Sequence, residues 1–316
     1  MRSYVDAVNN PTPSSMRMRF GPSGVHFFNR ANGLNILIDE IPPRRDKWHR
    51  APRNVSIALT NACDLHCGYC FAPKRQASLR LATVLAWLDE LNANGCLGVG
   101  FGGGEPTLYK QLPELCQYAT DRTGMAVTLT THGHHLDDKL LNALRGKIHF
   151  VRLSMDGIGA TYESLRGRAF TAFLGRADAV SKVFPFGINY VVNSRTLPEL
   201  DAATKLAAAV GASQFLLLPE RRTPTTAGIS PETRGVLLEW VAQYDGEIPL
   251  AVSEMEAEGM PISNPLNAET GLQSYAHVDA SGVLKQCSYD NNGVTIGPTG
   301  IIQAIKELEA IRTETV

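Results

Sequence analysis

From residue 54 onward the chain alternates two hydrophobic patterns. Short runs rich in Val, Ile, Leu and Phe are followed by longer stretches whose apolar residues recur every three or four positions. VSIALT (55–60) has the unbroken apolar character of a buried strand. Residues 79–95 place Leu81, Val84, Leu85, Leu88 and Leu91 at helical spacing, with Gly95 suited to the C-cap. The same reading predicts strands over 96–103, 126–133, 149–157, 187–193 and 214–220. Helices are predicted over 111–121, 137–145, near 160–181, 197–210 and 231–244, and a further strand over 248–254. About six β/α units in series predict an α/β fold with a parallel sheet and right-handed crossovers. Periodicity does not say whether that sheet closes. Upstream, residues 1–19 read as a loose polar arm, 25–41 as a hairpin around Asn-Arg-Ala-Asn-Gly, and 42–52 as a linker. The expected organisation is therefore an N-terminal arm and β-hairpin (1–53), a (β/α)6 core (54–254) and a C-terminal piece (255–316).

Groups that bind and react in such folds collect at the carboxyl ends of the strands. The unusual residues of this chain fall there. A cysteine cluster follows the first core strand, Gly-Gly-Gly-Glu the second, Thr-Thr-His-Gly the third and Ser-Met-Asp-Gly the fourth, while Asn193 ends the fifth.

Composition narrows the picture without changing it. The 316 residues are 44% hydrophobic and 19% charged, with a formal net charge of −1. That mix suits a globular chain and shows no basic excess of the kind a nucleic-acid binder carries. MRSYVDAVNN has no apolar signal-peptide core, and no apolar run approaches the roughly 18–20 residues of a membrane span. A soluble, cytoplasmic protein is expected, with neither nucleic acid nor membrane as partner. Six cysteines in such a chain argue against a disulfide framework. Cys96 and Cys116 sit among apolar residues and read as small core hydrophobes, and Cys287 stands alone.

NACDLHCGYCFAPKR (61–75) holds the other three, Cys63, Cys67 and Cys70, spaced C-x3-C-x2-C. A structural zinc takes four protein ligands, and three thiolates make a poor hydrolytic zinc site. A [4Fe–4S] cluster takes one Cys per iron, so three leave one iron open to a substrate or cofactor. Zinc and a metal-free cluster of thiols remain alternatives at this point.

With Tyr69 before the third Cys, this spacing resembles the radical S-adenosylmethionine (radical SAM) enzyme family. Gly103-Gly104-Glu105 matches the family's GGE motif after the second strand. TTHGHHL resembles the third-strand TNG segment with His132 in place of Asn, and LSMDG resembles a fourth-strand motif of the peptide-modifying and cofactor-making branches. The likeness runs from about 54 to 220. It implies a partial (β/α)6 barrel, with Cys63, Cys67 and Cys70 ligating one [4Fe–4S] cluster and S-adenosylmethionine on the open iron. Reduction by a flavodoxin or ferredoxin would release a 5′-deoxyadenosyl radical that removes a substrate hydrogen. Gly103 and Gly104 would let backbone approach the cofactor, and Glu105 would accept from its ammonium group. Tyr69 and Phe71 would border the adenine. Ser154, Asn193 and Asp156 would bond ribose or carboxylate, and Arg166 would pair with the carboxylate.

Other signals carry less. Gly98 to Gly103 fits G-x-G-x-x-G but runs into Glu-Pro rather than a helix, so a dinucleotide site is discounted. His132, His134, His135 and Asp137 read as polar lining or surface loop, with a second metal as the alternative. RRDKWHR (44–50) reads as a solvated linker, with a partner or leader-peptide contact as the alternative. Residues 275–297 resemble the start of the C-terminal SPASM or twitch element of peptide-modifying relatives, yet contain Cys287 alone. One cluster per chain is expected, and Cys287 is a core residue or a hydrogen-atom donor to a substrate radical. The leading expectation is cross-linking or epimerisation of a ribosomal peptide. A small-molecule radical enzyme and a non-catalytic iron–sulfur protein are the alternatives.

Overall fold

The computed structural model describes residues 15–40 and 42–313. Strands β1 (Met16–Gly21), β2 (Gly24–Asn29) and β3 (Asn35–Ile38) form a small antiparallel sheet. The hairpin expected after residue 25 is present as β2–β3. The loose arm is corrected in part: residues 1–14 lie outside the described residues, but Met16–Gly21 is a strand. Its polar look comes from Arg17 and Arg19, which alternate with Met16, Met18 and Phe20. Arg19 is 2% exposed and spends its donors on backbone, Nη1 to Ala51 O (2.8 Å) and Gly95 O (3.1 Å), Nη2 to Gln273 O (3.1 Å). Arg30 does the same with Thr123 O and Met125 O at 2.7 and 3.2 Å. Both arginines fasten the small sheet beneath the main one.

The main sheet starts with β4 (Asn54–Thr60), β5 (Gly98–Gly103), β6 (Ala126–Thr131), β7 (Phe150–Ser154), β8 (Phe186–Val192), β9 (Phe215–Pro219) and β10 (Leu250–Val252), each parallel to its predecessor. Helices α1 (Leu81–Ala93), α2 (Leu112–Arg122), α3 (Asp138–Leu144), α4 (Gly159–Arg166), α5 (Phe170–Ser181), α6 (Leu200–Ala209) and α7 (Pro231–Gln243) connect them. The helical stretch expected near 160–181 divides at Gly167, whose φ of 66° ends α4. Beyond β4 the sheet continues through β11 (Tyr275–Val278), parallel to β4, then antiparallel β12 (Val283–Lys285) and β13 (Val294–Thr295). Helix α8 (Ile301–Thr313) follows. The ten strands run in the order β10 to β4, then β11 to β13, as an open sheet.

Strand alternation gives that sheet two unlike faces. Val55, Ile57, Leu59, Val99, Phe101, Val127, Leu129, Val151, Leu153, Ile188 and Tyr190 pack with helix residues such as Val84, Leu88, Leu115, Leu141 and Phe173 in one core. Burying each large side chain contributes about 1.5–3 kcal/mol, so this face holds the fold. The residues between them, Ser56, Gly100, Gly102, Thr128, Thr130, Arg152, Ser154 and Asn189, turn to the opposite face, which no helix of the β/α series covers.

Glu269, 2% exposed, ties the layers together. Its Oε2 lies 3.5 Å from Arg19 Nε and 3.2 Å from Arg53 Nη1. Removing one side of a buried ion pair strands the other charge. Glu269→Ala is expected to lower stability by about 3 kcal/mol, measured as the loss of urea midpoint at constant m-value.

Candidate active site

The loop after β4 carries Cys63, Cys67 and Cys70. It is pinned at both ends. Ala62 N–H donates to Thr60 Oγ1 (3.1 Å), and Asn61 donates to Ala77 O through N–H (2.9 Å) and to Arg75 O through Nδ2 (3.1 Å). Leu65 and Ala72 are buried anchors between. The three cysteines are half-buried and form no disulfide. Leu65 N–H donates to Cys63 Sγ (3.4 Å), and Cys70 N–H to Cys67 O (3.1 Å). Burial pushes the Cys63 thiol up, with smaller pushes from Glu105, Asp64 and Cys70; it also raises Cys67, where Arg166 pulls the other way. Cys96 and Cys116 are fully buried core residues, as expected.

The end of β5 presses against this loop. Gly104 N–H donates to Thr60 O (2.7 Å), and Glu105 N–H to Ala62 O (2.8 Å). A Cβ on Gly103 would lie 2.3 Å from Thr60 O, and one on Gly104 2.4 Å from Ala62 O. Gly103 also has φ 138°, so glycine is required there. Residues 98–103 are strand, and the single 3-10 turn that follows, Pro106–Leu108, is capped by the Glu105 carboxylate, which leaves no place for a dinucleotide phosphate.

Glu105 corrects an expectation. Its carboxylate is not at the ligand edge: the residue is 1% exposed and four protein donors face its oxygens. Oε1 accepts from Thr107 N (3.0 Å), Thr107 Oγ1 (2.6 Å) and Thr131 Oγ1 (2.6 Å), and Oε2 accepts from His132 N (3.0 Å). A buried carboxylate needs such partners, and here they knot the ends of β5 and β6.

His132 extends the knot. Its Nδ1 accepts from His134 N (3.1 Å), which leaves the ring proton on Nε2, donated to Asp64 Oδ1 (2.9 Å). Asp64 Oδ2 accepts from Arg168 Nη2 (2.7 Å), with His135 Nε2 at 3.2 Å. Burial favours the neutral Asp64 carboxyl, but His132 and Arg168 outweigh it and hold Asp64 well below the usual carboxylate range. The Cys63 sulfur, an Asp64 oxygen and a His132 nitrogen lie within 4.8 Å of one another. That trio is a hydrogen-bonded relay, since Nε2 of His132 carries a proton rather than a free lone pair. His134 bonds Tyr162 OH (2.9 Å), and burial lowers it to about 4.

Behind Cys67 a second buried unit combines three of the expected cofactor residues. Asp156 is fully buried; its Oδ1 accepts from Val191 N (2.7 Å), and its Oδ2 accepts from Tyr69 OH and Arg166 Nη2. The Arg166 guanidinium lies 6.0 Å from the Tyr69 ring centroid. Burial opposes the Arg166 charge, yet Asp156 outweighs it and holds the guanidinium protonated; burial, then Asp156, raises the Tyr69 phenol. Arg166 thus pairs with Asp156, and its buried Nε has no protein partner. Ser154 stands half-buried at the end of β7. Asn193 is drawn away into the turn after β8, its Oδ1 accepting from Arg195 N (2.9 Å) and Thr196 N (3.1 Å) and its Nδ2 donating to Glu220 Oε2 (2.6 Å).

Sequence reading missed the C-terminal wall. Phe71, 40% exposed, packs against Tyr289 with the rings tilted by 42° (centroids 4.7 Å), and Arg221 lies 4.9 Å from the Tyr289 ring centroid. Arg221 pairs with Glu256 (3.2 Å) and approaches Cys287 Sγ through Nη1 (3.7 Å); Cys287 Sγ–H donates to Asp290 Oδ1 (3.1 Å). Of these residues Phe71, Tyr289 and Asp290 line a cleft of about 480 Å3, together with Gly103, Arg222 and His277. Nothing local marks Arg221, Tyr289 or His277, because they come from separate segments. Asp64 had one signal, its place inside the cysteine loop.

Among the described residues, three free thiols on one loop, beside a glycine-lined edge and with the nearest carboxylate and imidazole already bonded to each other, fit a cluster with one open iron.

A profile of the Radical SAM superfamily matches residues 57–201. The AdoMet-dependent heme synthase of Methanosarcina barkeri is 30% identical over 209 residues, 62% of this chain and 60% of that protein. The PqqA peptide cyclase of Streptomyces rochei is 34% identical over 178 residues, 53% of this chain and 48% of that protein. The chain thus spans about half to three-fifths of the length of these relatives. In fold, it superposes on Streptococcus suis SuiB, in the structure bound to precursor peptide SuiA, with a TM-score of 0.70 at 14% identity, covering 89% of this chain and 84% of that one. The chain therefore carries a radical SAM domain over residues 57–201, with homologues that include a peptide cyclase of that superfamily.

Proposed function

We propose that this chain is a radical SAM enzyme that acts on a peptide. The observation that carries the reading is the juxtaposition of Cys63, Cys67 and Cys70 with the Gly103–Gly104 edge at the open end of the sheet. Cys63, Cys67 and Cys70 would hold one [4Fe–4S] cluster, and the glycine edge would present backbone to S-adenosylmethionine. When bound and reduced by a flavodoxin or ferredoxin, these groups supply a 5′-deoxyadenosyl radical for hydrogen abstraction.

The protein's own residues position and shield. Tyr69, held by Asp156, and Phe71, tilted against Tyr289, flank Cys70 and supply ring surface for an adenine. Arg166 keeps its charge through Asp156 and has an unpartnered Nε to offer a carboxylate. Ser154 faces the uncovered side of the sheet. Cys287, the single cysteine of the C-terminal hairpin, leaves the chain with one cluster. Burial and Asp290 push its thiol up, so it stays protonated and can give a hydrogen atom to a substrate radical, with the resulting sulfur radical re-reduced from outside. Peptide cross-linking or epimerisation draws support from the peptide cyclase relative and from the cleft between Phe71 and Tyr289. The heme synthase relative favours a second reading, a small-molecule substrate for the same radical.

Anaerobically reconstituted protein is expected to bind about four irons per chain and to release 5′-deoxyadenosine from S-adenosylmethionine under dithionite. Cys67→Ala should lose both, and full cleavage by that variant would sink the reading. Gly104→Ala should weaken S-adenosylmethionine binding roughly ten-fold or more, about 1.4 kcal/mol, whereas Gly102→Ala, whose Cβ would meet nothing nearer than Thr130 Cβ at 4.0 Å, should bind as wild type in equilibrium dialysis. Cys287→Ala should keep 5′-deoxyadenosine formation and lose the epimerised product; unchanged product and rate would remove Cys287 from the mechanism.

A further inference from the structure

The uncovered face of the sheet holds one cation whose partners are both neutral. Arg152 lies in the middle of β7, between Val151 and Leu153, which point into the helix-covered core. Its own side chain takes the opposite face. There Nη1 donates to Asn189 Oδ1 (3.5 Å) and Nη2 to Gln214 Oε1, while the guanidinium carbon lies 5.3 Å from the Phe150 ring centroid. Asn and Gln are uncharged. Three other arginines near the cysteine loop do have a carboxylate: Arg166 has Asp156, Arg168 has Asp64, and Arg221 has Glu256. Among the described residues no carboxylate lies within ion-pair distance of Arg152. Burial alone lowers its pKa to about 10, with no charge offsetting it.

A desolvated cation without a counter-ion destabilises a fold, so its presence calls for an explanation. The surroundings provide one. Across the ladder, Arg152 is in register with Thr130 on β6, which is exposed, and with Gly187 on β8, where Phe150 and the Gln214 carbonyl take up the place of a side chain. Gly100 and Gly102 on β5 keep the neighbouring part of the face bare. An exposed hydroxyl and an uncompensated guanidinium therefore meet on one face of the sheet, and a guanidinium is suited to grip a carboxylate with two parallel hydrogen bonds.

We infer that Arg152 is the anchor for a substrate carboxylate, held on the uncovered face of the sheet with Thr130 beside it. This rests on the reading that this face receives the substrate. The carboxylate belongs either to a peptide, at its C-terminus or on an acidic side chain, or to a small organic acid. No bond is made or broken at Arg152; it is a binding residue that fixes where the substrate sits relative to the cysteine loop.

The test uses the reconstituted protein with S-adenosylmethionine, and reads thermal stabilisation at matched ionic strength. One pair of probes is a decapeptide ending in a free carboxylate and the same peptide as its amide. The other pair is glutarate and glutaramide. In one pair or the other, the acid at about ten times its dissociation constant should raise Tm by about 2 °C, and its amide by less than about 0.5 °C. The pair that shows the preference identifies the source as peptide or small acid. Arg152→Met, which keeps the apolar stem, should abolish the preference, and Arg152→Lys should restore part of it. S-adenosylmethionine affinity should be unchanged in both variants, so loss of that affinity in wild type would count against the radical enzyme and not against the anchor. Equal stabilisation by acid and amide in both pairs, or an acid preference that survives in Arg152→Met, would overturn the inference.

Discussion

Two backbone carbonyls organise the open end of this protein. Thr60 O and Ala62 O accept the amides of Gly104 and Glu105 at 2.7 and 2.8 Å, where any side chain at Gly103 or Gly104 would collide. That close approach fixes the cysteine loop against the end of β5. An amide–carbonyl pair nets only about 0.5–1.5 kcal/mol, so two such bonds do not hold the site by energy alone. They act by geometry, because the contact forbids a Cβ and the loop has no other place to rest.

The carboxylates behind the loop do the complementary work. Glu105 is closed in by donors from β6 and from its own turn, Asp64 by His132 and Arg168, and Asp156 by Tyr69, Arg166 and the amide of Val191. Each brings together segments distant in the chain. A buried carboxylate with all its partners is rigid, and losing one partner leaves a charge in a medium that solvates it poorly. The thiols are therefore surrounded by acids that are already occupied, leaving sulfur as the available ligand.

The division of the sheet into two faces explains where chemistry can happen. One face is saturated with apolar side chains and helices. The other carries hydroxyls, glycines and Arg152, a composition that would be a poor core and is a good wall for a ligand. The N-terminal sheet fastens beneath through Arg19 and Arg30, and β11 to β13 extend the open edge, bringing Tyr289 against Phe71.

The alternation of strand and helix, the three clustered cysteines and the glycine edge were legible in the chain itself, because hydrophobic period, thiol spacing and the absence of a Cβ are local properties. The strand at Met16–Gly21 was not, since Arg17 and Arg19 look like solvent residues until the carbonyls that receive them are known. Nor was the use of Glu105: its type announced an acceptor, but whether a carboxylate faces a ligand or four protein donors depends on where Thr107, Thr131 and His132 come to rest. Likewise Arg166 and Asp156 could be picked out singly, while their union with Tyr69 required α4, β8 and the cysteine loop to converge. Cys287 could be picked out in the chain, but its place beside Arg221, and that of Tyr289 against Phe71, were decided by tertiary structure. These contacts join residues tens to hundreds of positions apart, and no local pattern encodes which of them will meet.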